Sequence, residues 1–236
     1  MKSLLISHLI NGASFRMKDL LKLFNREMKI LFFNTKNILS YSTFFIVVFL
    51  LFAFSIGPEL KILSSLYVPI LFMIILFSLI LTSESFITED YNNGCLKELQ
   101  FLGFSGELIF LSKISVMLVS IIISNLFLIP LTSIFFGIKF NLMIKITIMF
   151  ILSSPSLVCL SLLSALFSLQ IRKNKFIQFI IVMPFFIPII IFATSTNLYS
   201  INDKNNINYF ILFGFFLITL PASIILGKLL IKETNN

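Results

Sequence analysis

Six long apolar runs decide what this chain can fold into. They lie at about 38–56, 65–83, 114–136, 146–169, 176–193 and 210–230. The hydrocarbon core of a bilayer is about 30 Å thick, so a helix needs about 20 apolar residues to cross it, with every backbone donor and acceptor satisfied inside the segment. The rest of the sequence agrees with that reading. Charged residues make up only 12% of the chain, and its mean hydropathy is +1.05. The class that follows is all-α: a polytopic membrane protein with six transmembrane helices. With 30 Phe and no Trp, Tyr and Phe must supply any interfacial aromatic belt.

Proline falls within or beside five of the six runs, as Pro69, Pro130, Pro155, Pro184, Pro188 and Pro221. It cannot donate to the helix ladder, so Pro155, Pro184 and Pro188 are expected to kink their helices where Ser, Thr or a neighbouring helix takes up the freed carbonyl. The fifth run, with two prolines four residues apart followed by the polar Thr194, Ser195, Thr196 and Asn197, is the best candidate for a re-entrant segment. The fourth carries Ser153, Ser154, Ser156, Ser161, Ser164 and Ser168. Small hydroxyl residues at this density favour close helix packing over a substrate pathway.

Before the first run, Met17, Leu20, Leu21, Phe24, Met28 and Leu31 recur at helical spacing, while Lys18, Lys22, Arg26 and Lys29 share the other side. Residues 17–36 are therefore expected to form an interfacial helix, its basic face on anionic headgroups and its apolar face in the acyl boundary. Residues 1–16 read as an N-terminal extension, and Met17 offers an alternative translation start. The lone His8 in that extension is assigned no role. Residues 17–236 then form a single membrane domain.

Lys and Arg set the orientation. With both termini inside, fourteen fall on cytoplasmic segments and four on external ones. That places the 84–113 loop in the cytoplasm, and with it five of the ten acidic residues. The basic residues mark topology and not nucleic-acid binding. Cys95 and Cys159 stand in unrelated settings and read as free thiols.

The chemistry missing from the sequence narrows function further. There is no GxxxxGK[ST] phosphate loop, so any ATP hydrolysis belongs to a separate chain. There is no HExxH, GxSxG or CxxCH, and one histidine cannot supply paired haem ligands. The chain reads as a non-catalytic membrane subunit that binds no cofactor by itself.

The 84–113 loop is the one internal polar region. The second span is expected to continue as helix to about Asn92, where Asn93 and Gly94 give a left-handed termination. A short helix follows, with Leu96, Leu99 and Leu102 on one side and Lys97, Glu98 and Gln100 toward the other, ended by Gly103. Ser105 then caps the third span, with Glu107 beside its positive end. Such a ledge suits a partner, and Asp90, Tyr91, Gly94, Leu96, Glu98 and Leu99 are the candidate contacts.

An interfacial helix, six spans and a long first cytoplasmic loop together resemble the permeases of ABC-2 type transporters. The specific resemblance is to the CcmB family, the membrane subunit of cytochrome c maturation. It is carried by Gly57-Pro58-Glu59, by Asp90-Tyr91 with Gly94, Leu96 and Leu99, by Lys113 and Pro155, and by Val182-Met183-Pro184 followed by Pro188-Ile189-Ile190-Ile191-Phe192. Departures are Asn92 and Asn93 where the family places acids, Ala193 for a Gly, and Ser153-Ser154 for a Gly-Thr. The resemblance implies a subunit of the bacterial inner membrane, or of a mitochondrial inner membrane, that pairs with a CcmA-like ATPase and a CcmC-like haem-handling subunit. A small CcmD-like subunit, a haem chaperone, membrane lipid and a second copy in a homodimer complete the expected partners. ATP would be hydrolysed on the partner to release the haem-loaded chaperone or to export haem, with haem as cargo. The bare architecture also fits an ABC-2 exporter of lipid, drug or polysaccharide, or a structural subunit that moves nothing.

Overall fold

The computed structural model describes residues 18–30, 36–57, 59–170, 175–194 and 207–233. The 1–16 extension with His8, the alternative start Met17 and the polar residues Ser195, Thr196 and Asn197 lie outside them. All regular structure among the described residues is helical, in eight helices. They are α1 (18–30), α2 (Lys36–Ile56), α3 (Leu60–Asn92), α4 (Cys95–Phe101), α5 (Gly106–Phe135), α6 (Phe140–Gln170), α7 (Lys175–Thr194) and α8 (Ile207–Glu233).

Five helices, α2, α3, α5, α6 and α8, are long and apolar enough to cross a bilayer. In the fifth predicted run, the described apolar helix is the shorter Gln178–Thr194. The chain is thus an all-helical polytopic membrane protein. Its exterior agrees with that class: Phe54, Phe127, Ile134, Phe210 and Ile218 all point outward and are more than two-thirds exposed. In water such a surface would aggregate; against hydrocarbon it costs nothing.

The inner helices are α3 and α6, and α2 and α8 are the most peripheral of the five. α6 packs against α3, α5, α7 and α8, and all six of its serines are buried. Ser153, Ser154, Ser161, Ser164 and Ser168 each donate to a carbonyl three residues back in their own helix. They act as small spacers that let neighbours approach, as the sequence suggested. Ser154 does more. Its Oγ donates to the Ile151 carbonyl at 3.0 Å, the acceptor that Pro155 leaves without an amide. α6 accordingly runs unbroken through Pro155, and α7 runs unbroken through Pro184 and Pro188.

Neutral polar groups join helices across the interior. The Tyr67 hydroxyl of α3 donates to the Ile129 carbonyl of α5 at 3.1 Å and shares a hydrogen bond with Thr132 at 2.9 Å. Asn125 Nδ2 donates to the Tyr41 hydroxyl of α2 at 2.6 Å. Gln178 Nε2 of α7 donates to Ser83 Oγ at 2.9 Å and to the Ile80 carbonyl at 3.2 Å, both on α3. Apolar packing surrounds them, as in the Phe49, Phe136 and Tyr67 rings with centroids 4.7 and 5.4 Å apart.

Candidate functional site

At 1.5 Å per residue, the 33 residues of α3 extend about 50 Å, well beyond the hydrocarbon thickness. The excess carries Glu84, Glu89 and Asp90 out of the apolar run at the end that leads to α4. The chain turns there within two residues. The Asn93 amide donates to the Glu89 carbonyl, and Gly94 takes φ 74°, a left-handed conformation that a Cβ would strain. α4 starts at once, with the Glu98 amide bonded to the Gly94 carbonyl. After Gly103, Ser105 caps α5 by accepting from the Leu108 amide at 3.4 Å, and Glu107 lies in the first turn.

α4 is fixed by its inner face. Leu96 and Leu99 are buried in the core, so these two expected contacts face the bundle and not a partner. The physical reason is that α3 and α5 flank α4 closely enough to take up its leucine side. Gln100 also turns inward, its Nε2 donating to the Ile231 carbonyl of α8 at 2.8 Å. Gln170 of α6 donates to the Leu230 carbonyl at 3.0 Å. Both acceptors lie in the last turn of α8, where helix carbonyls run short of intrahelical donors. The outward side of α4 presents Lys97, Glu98, Phe101 and Leu102, the last two 87% and 73% exposed.

Asp90 does not project outward either. It forms an ion pair with Lys113 of α5, whose Nζ is also 3.5 Å from Glu27 Oε2 of α1. Lys113 and Glu27 are each 1% exposed, and the Phe86 ring lies over the ammonium at 4.7 Å. Arg26 reaches Glu27 Oε1 at 2.9 Å, so two carboxylates and two cations balance. A buried charge is tolerated only with such partners, and this group joins α1, α3 and α5 at one point. Tyr91 is half-buried and packs against the hydrophobic core.

α1 therefore has a different inner edge from the stripe its spacing suggested. Leu23 and Glu27, one helical turn apart, are buried, while Leu21 of the expected apolar face is 53% exposed. Lys18, Lys22 and Lys29 are exposed; Arg26 is drawn to Glu27. Sequence reasoning missed Glu27 altogether. Its signal was an acid among basic neighbours, one of two in α1 with Asp19, four residues from a leucine.

α5 and α8 close the junction. Lys228 donates to Glu107 Oε1 at 2.7 Å, and a Cβ on Gly227 would stand 2.6 Å from the Phe110 ring, so only glycine lets α8 approach there. Among the described residues no group of His, Cys, Asp and Glu is arranged to hold a metal ion, and both cysteines are free.

These features define a polytopic helical membrane protein whose ion pairs, among the described residues, gather at one end of the bundle, around a short transverse helix. The chain belongs to the CcmB protein family, whose sequence profile matches residues 18–226. It is 26% identical over 175 residues to the Heme exporter protein B of Haemophilus influenzae, covering 74% of this chain and 79% of that one. The Heme exporter protein B of Pseudomonas aeruginosa is 22% identical over 172 residues, 72% and 76% of the two chains. That of Escherichia coli K12 is 29% identical over 93 residues, 39% and 42%.

Proposed function

We propose that this chain is the membrane subunit of a haem-export complex in the bacterial inner membrane, and that it couples ATP hydrolysis on a separate subunit to haem delivery in cytochrome c biogenesis. The names of its relatives support the cargo. The single observation that carries the coupling role is the two-sided character of α4. Its inner side is held by Leu96, Leu99 and the Gln100 amide, and its outer side offers Glu98, Lys97, Phe101 and Leu102 to a partner.

A push on such a ledge has somewhere to go. α4 is joined to α3 and α5 by turns too short to absorb a displacement, so moving it tilts both long helices together. In this reading α7 is the fifth of six spans, both termini are cytoplasmic, and the ATPase docks on the outer side of α4. Lys18, Lys22 and Lys29 lie on anionic headgroups beside it. A CcmC-like haem-handling subunit, a small CcmD-like subunit, a haem chaperone and a second copy of the chain are the further partners.

The test is co-purification of the ATPase with Phe101→Asp and Leu102→Asp, alongside covalent haem attachment to c-type cytochromes. Both are expected to be lost while the chain still inserts. A bound ATPase and normal cytochromes would refute α4 as the docking element.

A further inference from the structure

Four buried side-chain polar atoms among the described residues have no hydrogen-bond partner: Ser78 Oγ, Asn125 Oδ1, Ser156 Oγ and Gln178 Oε1. Ser78, itself fully buried, lies in the wall of a cleft. That cleft, of about 570 Å³, lies between the first half of α2 and the second half of α3, on the α4 side of the bundle. Ser40 and Thr43 of α2 face Ser78, Thr82 and Ser85 of α3 across it. Exposed Leu39, Val47 and Leu81 form its rim, so it opens sideways onto the surface that meets hydrocarbon.

The hydroxyls are not equivalent. Thr82 Oγ1 donates to the Ser78 carbonyl at 2.7 Å, and Ser85 Oγ donates to the Thr82 carbonyl at 3.0 Å. Their protons are committed to their own helix, as are those of most described serines and threonines. The Ser78 hydroxyl, fully buried beneath the floor of the cleft, is uncommitted, and an acceptor reaches it only where the packing of α2 on α3 gives way. A hydroxyl left so in a membrane interior costs free energy unless an acceptor arrives from outside the chain.

We propose that this cleft holds one glycerophospholipid from the leaflet on the α4 side, with an ester carbonyl accepting from Ser78 and an acyl chain lying along the Leu39, Val47 and Leu81 rim. Two features select that occupant. Ser78, Thr82 and Ser85 descend about 10 Å along α3 at 1.5 Å per residue, from the polar edge into the apolar run, a depth at which only an amphiphile matches both ends. Among the described residues the lining holds no Lys, Arg or His to meet a free carboxylate, and no His, Met, Cys or Tyr to ligate haem iron. Neutral ester carbonyls need donors and no charge. Lipid binding here would bear on the packing of α2 against α3 and is independent of the ATPase.

Photoreactive phosphatidylethanolamine in vesicles of phosphatidylethanolamine and phosphatidylglycerol, with adducts mapped by mass spectrometry, tests this on the full chain. Adducts are expected at residues 39–47 and 78–85. Ser78→Val should lower them by about three- to tenfold, the range one hydrogen bond supports, with labelling of the exposed Phe185 and Ile187 surface on α7 unchanged. Ser78→Ala removes the same donor without added bulk and guards against a failure of the valine variant to insert. Equal labelling of the cleft and the α7 surface, or a cleft signal unaffected by either variant, would reduce the lipid to ordinary annular contact and overturn the proposal. Displacement of the label from the cleft by haem, but not by excess phospholipid, would overturn the choice of occupant.

Discussion

Polar groups join helices in two regions of this molecule, by different chemistry. In the interior, α2, α3, α5 and α7 are stitched by Tyr67 with Thr132, Tyr41 with Asn125, and Gln178 with Ser83, all neutral. At the α4 end, α1, α3 and α5 are joined by the ion pairs of Lys113 with Glu27 and Asp90. The difference is one of consequence when a partner is lost. A neutral group left alone can usually turn to a carbonyl in its own helix, whereas a buried ion has no comparable retreat. The interior contacts therefore tune packing, and the charged junction decides whether α1 stays attached.

The sharpest way to break that distinction is Lys113→Met. It leaves two carboxylates facing each other in a buried site and should destabilise the chain by about 3–5 kcal/mol, read as a lowered midpoint of thermal unfolding in detergent. Adding Glu27→Leu and Asp90→Leu should recover most of that loss, because an apolar replacement of the whole group removes the desolvation penalty with the charge. If the single variant were as stable as the parent, the junction would be no stronger than the interior stitches. Tyr67→Phe should cost far less, about 0.6–1.7 kcal/mol, since Thr132 Oγ1 also donates within its own helix to the Leu128 and Ile129 carbonyls. The same unfolding measurement reads it. Smallest of all is Lys228→Gln, which breaks a half-exposed pair with Glu107 and should cost about 0.5 kcal/mol or less. Comparing variant and parent at low and at high salt checks it: the difference should vanish in about 1 M salt, where exposed charges are screened, while the Lys113→Met effect persists.

The two regions also differed in how far they could be read from sequence. Helices that cross a bilayer announce themselves by length and apolarity, and the α3–α4–α5 corner did so by local turn chemistry. Asn93, Gly94, Gly103 and Ser105 act within a few residues of themselves, so a linear reading finds them. Glu27, Asp90 and Lys113 are 86 and 23 residues apart along the chain and meet only once the bundle has formed. Asp90 accordingly read as an exposed contact, and Leu96 and Leu99 read as a face for a partner, because α4 taken alone has no neighbour to bury them. Gln100 and Gln170 were invisible for the same reason: an amide seeking the end of a distant helix leaves no local pattern. The proline-bearing runs are a separate case. Pro184 and Pro188 suggested a broken segment, yet α7 continues through both, since a missing amide weakens a helix without fixing where it must end.

The length of α3 has one further consequence. A rod of about 50 Å set in about 30 Å of hydrocarbon must protrude, tilt, or do both, and the balance shifts with the thickness of the bilayer around it. Because the Asp90 end is pinned to α1 and α5, the adjustment falls on the Leu60 end. Membrane thickness thereby becomes a mechanical input to the chain, with the ion group as fulcrum, and a few degrees of tilt there sweep the opposite end through several ångströms.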